Sequence, residues 1–151
     1  MKIKNLLTSK IATMKRLYRS TYQSYDIERE FWLLFNHSSG WHSVVCKKGF
    51  SHVEVYMKDK YNWVGFRPYF PCPDFKILNF EASKDVPSLL KKQGHVLHVK
   101  FSRKVRGIPL GRFGWFNCTH MVQYYMSLPT RCCTPWRLYN KLLKIGIAKK
   151  V

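Results

Sequence analysis

Acidic residues are scarce in this sequence and confined to its middle. Asp and Glu total 8 against 27 Lys and Arg, which gives a formal net charge of +19. All the acidic residues lie within 26–85, so residues 1–25 and 86–151 carry basic charge only. This distribution attracts polyanions such as nucleic acid, acidic lipid or teichoic-acid-like polymers, but it does not determine a fold.

Several other features are missing. No apolar run approaches the roughly 18–20 residues that cross a bilayer, and no continuous apolar stretch near the N-terminus indicates a secretory signal. The five cysteines show neither Cys-x-x-Cys nor the paired Cys/His spacing of zinc sites. Their number is odd and Cys132 adjoins Cys133, which suits a disulfide framework poorly. We therefore predict a protein with no transmembrane segment, no metal and no cofactor, located in the cytoplasm.

The remaining composition predicts a folded domain. The chain has 151 residues, of which 46% are apolar and 16% aromatic, enough for one core and too apolar for a disordered chain. Apolar residues at helical spacing predict N-terminal helices over 1–35, the second of them over 26–35. Short β-rich runs follow, then a short helix, another strand and two late helices. The strands are predicted over 41–46, 51–57, 61–67, 75–81 and 95–101.

This order of elements predicts an α+β fold with an antiparallel sheet packed against a late, cysteine-bearing helix. We divide the chain into a basic N-terminal helical segment, 1–35, and an α+β domain, 36–151. The N-terminal segment either packs on the domain or extends from it as a basic arm.

Cys118 is the best candidate for chemistry. It follows a glycine-rich loop and lies in the first turn of a predicted helix, where unpaired N–H groups favour negative charge. That position predicts a thiol pKa lowered towards neutral, and only the thiolate is a good nucleophile. The main-chain N–H groups of Cys118 and Thr119 would then stabilise an oxyanion.

A cysteine nucleophile needs a base, and His52 is the best partner. Strand alternation puts His52, Glu54 and Tyr56 on one face, which we expect to meet the cysteine helix. A third polar group would orient the imidazole. Asn62 on the next strand and Glu81 on the one after are both candidates, and spacing does not choose between them.

The two segments Phe-Ser-His-Val-Glu-Val-Tyr and Phe-Asn-Cys-Thr-His-Met-Val resemble the circularly permuted papain-like cysteine hydrolases. That group includes NlpC-type cell-wall peptidases and lecithin–retinol acyltransferase-like proteins. Thr-Pro-Trp-Arg-Leu-Tyr, further along, is similar to small phage proteins of this type. The resemblance covers about residues 41–145 and implies a permuted papain-like fold, with Cys118 as nucleophile and His52 as base.

Two functions follow as hypotheses. The first is a thiol hydrolase or acyl-transfer enzyme for an acyl-bearing or peptide substrate, with basic Arg103, Lys104, Arg106 and Arg112 favouring an anionic one. The second is a binding module for nucleic acid or another acidic partner, using basic and aromatic residues such as Trp115, Tyr124 and Trp136. A virion-associated protein of a phage, made in the host cytoplasm, is a variant of the second.

Overall fold

In this computed structural model, residues 26–38, 46–68, 74–104 and 117–151 are described, with 26, 27, 103 and 104 described by their main chain only. These ranges contain six strands and three helices, which confirms the predicted α+β class. In chain order they are β1 (Asp26–Asn36), β2 (His52–Lys58), β3 (Asn62–Arg67), β4 (Asp74–Glu81), α1 (Val86–Lys91), β5 (His95–Lys104), α2 (Cys118–Tyr125), α3 (Pro135–Lys144) and β6 (Ala148–Lys150).

The six strands form one sheet in the order β4-β3-β2-β1-β5-β6. Every neighbouring pair is antiparallel, as predicted. β2 and β3 are joined by a tight hairpin in which the Asp59 N–H donates to the Asn62 carbonyl at 2.8 Å. In this hairpin the start of β2 and the start of β3 lie at opposite ends of the strand pair.

The prediction of a helix over 26–35 is wrong, because this segment forms strand β1. β1 pairs with β2 on one side and with β5 on the other, so it is an interior strand of the sheet. Phe31, Leu33 and Phe35 are buried on one face, and Leu34 is buried on the other. A strand buried on both faces carries a continuous apolar run, which resembles a buried helix more than an alternating strand.

The proposed division of the chain at residue 35 consequently falls inside β1. The helix predicted at the start of the chain lies within 1–25, outside the described residues. The predicted strand over 41–46 also lies outside them, apart from Cys46.

The two faces of the sheet are packed differently. The larger cluster includes Val53 and Val55 of β2 together with Leu138 and Leu142 of α3, and α2 packs on the same side. The smaller cluster joins Tyr56 and the β1 residue Leu34 to the buried residues of α1. Tight packing here requires Gly94, because a side chain at that position would collide with the Phe35 carbonyl oxygen.

The late helix α3 is bounded by residues that are typical of helix ends. Thr134 caps it by accepting a hydrogen bond from the Arg137 N–H at 3.3 Å, and Pro135 occupies its first turn. Gly146 follows its last turn with φ of +75°, a left-handed conformation that suits glycine. β6, which comes next, has no counterpart among the predicted strands, because Ala148–Lys150 is short and mostly polar.

Candidate functional site

Helix α2 begins at Cys118, and Asn117 holds its first turn in place. The Asn117 side chain accepts a hydrogen bond from the His120 N–H at 3.0 Å and donates one to the Cys133 carbonyl at 2.8 Å. The first bond satisfies a donor that the start of a helix leaves unpaired. The second ties the same residue to the segment that leads into α3, so Cys118 is positioned by contacts on both sides.

Hydrogen bonds of the buried Gln123 side chain link the other side of α2 to the segment that leads into α3. Its amide nitrogen donates to the carbonyls of Thr119 and Cys132, at 2.9 and 2.7 Å. Its amide oxygen accepts from the Cys132 N–H at 2.6 Å and from the Thr130 hydroxyl at 3.0 Å. The amide therefore uses both donors and its acceptor oxygen. Sequence reasoning missed this residue, because a helical glutamine is ordinarily exposed.

The Cys118 thiol reaches the main chain of β2. Burial raises its pKa, while hydrogen bonds from the Val53 N–H and from Thr119 act in the opposite direction. The prediction of a lowered pKa is wrong, because desolvation of the thiolate outweighs the donors around it. Burial of Cys118 therefore favours the protonated thiol over the thiolate.

Cys118 packs against the cluster on the α2 face of the sheet, and its thiol interacts with the Val53 main chain, which lies in the plane of the sheet. The N–H groups of a strand point sideways within that plane, and the β2–β3 pairing extends only to Val55 and Phe66. Val53 is beyond that last pair, which leaves its N–H available to Cys118. The thiol thus meets β2 at the peptide group that joins His52 to Val53.

Strand β2 turns its valines, and not His52, towards α2. Val53 and Val55 belong to the cluster that includes Cys118, whereas Tyr56 belongs to the cluster on the opposite face. Because side chains alternate along a strand, His52 and Glu54 leave the main chain on the Tyr56 side. The expectation that this set faces the cysteine helix is therefore wrong.

His52 and Glu54 form a buried polar group with two neighbours. The Glu54 carboxylate lies 3.8 Å from His52 Nε2 and 3.6 Å from Arg67 Nε, and the histidine and glutamate side chains are only 6% and 7% exposed. The Tyr56 hydroxyl donates to Glu54 Oε2 at 2.6 Å. Burial, and then the hydrogen bond to Glu54, raise the pKa of Tyr56 far above its ordinary value. Glu54 is thus the carboxylate beside His52, and its place two residues along the same strand was the signal available in the sequence.

Asn62 and Glu81, the two candidates for a third group, are brought together but not with His52. They pair with each other across β3 and β4, at the end of the sheet where the β2–β3 hairpin turns. His52 starts β2, six residues from Lys58, and at 3.3 Å per residue this separation is about 20 Å. Both assignments are wrong, because the hairpin carries the start of β3 away from the start of β2.

The four basic residues predicted to favour an anionic substrate are only partly placed. The main chain at Arg103 and Lys104 ends β5, paired with the start of β1. Arg106 and Arg112 lie within 105–116, outside the described residues, as does Trp115. Among the described residues, Tyr124 is half-buried, and Trp136 is partly buried against the larger cluster beneath the Lys47 ammonium, 3.3 Å from its ring centre.

The described residues also bear on metal binding and on membrane insertion. They contain no group of three His, Cys, Asp or Glu side chains arranged to hold a metal ion. Within the same ranges, no helix has the length and apolar character needed to cross a bilayer.

Comparisons with protein-family models, with curated proteins and with solved structures gave no match to this chain.

Proposed function

We propose that this chain is a small thiol hydrolase or acyl-transfer enzyme of the permuted papain-like type, with Cys118 as nucleophile and His52 as base. One observation carries the proposal: helix α2, which begins at Cys118, packs on β2 with the thiol against the cluster that contains Val53, the residue next to His52, and the His52 imidazole lies beside the buried Glu54 carboxylate. The thiol and the imidazole belong to opposite faces of β2 but to its first residues, so the proposal requires the His52 side chain to reach the sulfur around the start of the strand.

In the first half of the reaction, the Cys118 sulfur bonds to the carbonyl carbon of an amide, ester or thioester, and the thiol proton passes to His52. The carbonyl electron pair moves to oxygen, where N–H groups at the start of α2 would stabilise it. When the intermediate collapses, the bond to the leaving group breaks and His52 returns the proton to that group. The product is an acyl thioester on Cys118.

In the second half, water or an acceptor attacks the thioester while His52 takes its proton. The carbon–sulfur bond then breaks, and the proton returns to the thiolate. Water as acceptor makes the enzyme a hydrolase, and an alcohol or amine makes it an acyltransferase. Glu54 is the positioning residue in this scheme, because its carboxylate stabilises the protonated imidazole that each half of the reaction produces.

The test uses p-nitrophenyl acetate as acyl donor and maps the acetyl group by peptide mass spectrometry. We expect acetylation of Cys118 in the wild type and none at that position in Cys118→Ala. His52→Ala should slow the acetylation of Cys118 by about 10²–10⁴-fold, the usual contribution of a general base. Glu54→Gln, which keeps the side-chain volume, should also slow it.

His98→Ala is the matched control, since His98 also lies beside a glutamate, Glu30, at 2.8 Å but on the exposed side of another strand pair. That variant should retain the wild-type rate. Equal acetylation rates for the wild type and His52→Ala, with both proteins folded, would overturn the assignment of His52 as base.

A second function is favoured by the charge on α3. Arg137, Lys141 and Lys144 lie on its exposed face, where with Asn140 and Trp136 they line a shallow groove. We propose this groove as the binding surface for an anionic partner such as nucleic acid. Replacing Arg137 and Lys141 together by Gln should weaken binding to a duplex oligonucleotide. The slope of log affinity against log salt should become shallower by about 0.9 for each phosphate that the variant no longer neutralises.

The control replaces Lys58 and Lys60 of the distant β2–β3 hairpin by Gln, which removes the same charge. Identical salt slopes for the two double variants would rule out a specific role for α3.

A further inference from the structure

In the described part of the chain, β4 is an edge strand of the sheet, and exposed apolar side chains are concentrated on it and beside it. Of the seven large apolar side chains that are exposed in the described part of the chain, five lie on or beside β4. They are Tyr61, Phe75, Ile77, Phe80 and Tyr125. Tyr125 packs edge-on to Phe75, with ring centres 6.0 Å apart, and the Tyr61 carbonyl accepts a hydrogen bond from Ala82, just beyond the strand. Such a concentration on a protein surface marks an interaction site.

The patch has the geometry of a strand-pairing edge. Within the described ranges, β4 pairs with β3 alone, and seven of its eight residues are exposed. Its apolar side chains lie on both faces: Phe75 stacks on Phe66 of the larger cluster, whereas Leu78 packs against the smaller one. A helix or a flat surface would cover one face. A strand added at the edge covers both, and it also uses the N–H and C=O groups of β4.

The charge of this edge is compatible with pairing to a second copy of the chain. β4 carries Asp74, Lys76 and Glu81, a net charge of −1 on a chain whose total is +19. Two copies of so basic a chain repel each other over most of their surface. Pairing through β4 brings together strands that carry little net charge, so this repulsion is small at the contact.

We infer that β4 pairs with β4 of a second copy of this chain, antiparallel and about a two-fold axis at Ile77. This arrangement joins two six-stranded sheets into one, and a two-fold interface is self-complementary. Ile77, 71% exposed, then lies opposite its own copy, and Lys76 lies opposite Leu78. No like charges are directly opposed in this register, whereas an axis at Lys76 would oppose two lysines.

The experiment measures the mass of the purified full-length chain by sedimentation equilibrium over a roughly hundredfold range of micromolar concentration, since dimer formation follows mass action. We expect the wild type to approach twice the chain mass of 18.0 kDa. Ile77→Lys should sediment at the single-chain mass throughout. Ile145→Lys, which changes an exposed isoleucine at the end of α3, should behave as the wild type.

Hydrogen exchange on the wild type provides a second measurement that does not depend on any variant. The amides of residues 74–81 should become more protected as concentration rises, while those of β6 should not change. A wild type that stays at the single-chain mass, or an Ile77→Lys variant that still dimerises, would overturn the inference. Neither outcome touches the acyl-transfer proposal, because Ile77 takes no part in the Cys118 site.

Discussion

The two histidine–glutamate pairs in the described part of the chain differ mainly in how deeply they are buried. His98 Nε2 and Glu30 Oε1 are 2.8 Å apart, and the two side chains are 30% and 48% exposed. His52 Nε2 and Glu54 Oε1 are 3.8 Å apart, with side chains 6% and 7% exposed. Water and salt screen the first pair, whereas protein surrounds the second. We therefore expect salt to weaken the shorter contact more than the longer one.

The surroundings of the two pairs sharpen this difference. Glu54 also receives the Tyr56 hydroxyl at 2.6 Å and lies 3.6 Å from Arg67 Nε, so its removal changes several interactions at once. His98 is supported by stacking on Trp32, with ring centres 4.9 Å apart. That stacking remains when Glu30 is replaced. The buried Glu54 therefore interacts with several side chains at once, whereas the exposed Glu30 is one of the side chains that support His98.

The largest effect is expected for Glu54→Ala. The substitution removes a buried side chain and leaves the Tyr56 hydroxyl without its acceptor, so the free energy of unfolding should fall by about 2–4 kcal/mol. Urea denaturation monitored by tryptophan fluorescence measures the loss. A change no greater than that of Glu30→Ala would show that depth does not distinguish the two pairs.

A smaller, pH-dependent effect is expected for Tyr56→Phe. At about pH 8 the loss of a hydrogen bond to a buried carboxylate should cost about 1–2 kcal/mol. The pKa of Tyr56 is raised by folding from its ordinary value of 10.0, so the hydroxyl stays protonated in the folded chain where the unfolded chain ionises. The stability that it contributes is full below pH 10 and is lost as pH rises further.

The stability difference between wild type and Tyr56→Phe should therefore shrink above about pH 10. Tyr61→Phe, at an exposed tyrosine, is the control and should show a constant difference over the same range. A difference for Tyr56→Phe that grows with alkaline pH would contradict the buried hydrogen bond to Glu54.

The burial of a strand also explains which elements the sequence predicts correctly. The alternating residues of β2 and the capped, amphipathic α3 carry clear periodic signals, and both elements are present in the structure. β1 resembles a helix in sequence because Phe31, Leu33 and Leu34 are all buried, which removes the period of two. A local pattern loses its information where both faces of a strand bury apolar side chains, whereas β2 keeps its alternation because one of its buried faces is polar.

The candidate site was predictable only in part, for a related reason. Alternation correctly groups His52 with Glu54 and Tyr56, but it does not say which face the helix will cover. The same limit applies to Asn62, since its distance from His52 depends on the hairpin register and not on sequence separation. Residue type and spacing therefore identify the candidate residues, and the topology of the sheet determines which of them lie close together.

The smallest effect is expected for Glu30→Ala, the exposed member of the comparison. Surface ion pairs contribute about 0–1 kcal/mol and are screened by salt, so the loss in the free energy of unfolding should be below about 1 kcal/mol and should diminish near 1 M salt. Urea denaturation at low and high ionic strength, with Glu54→Ala measured beside it, gives both quantities. Because the protein around Glu54 excludes the ions that screen Glu30, the loss for Glu54→Ala should change little with salt. An equal salt dependence for the two variants would mean that water reaches Glu54, and that His52 has no sheltered carboxylate to stabilise its protonated form.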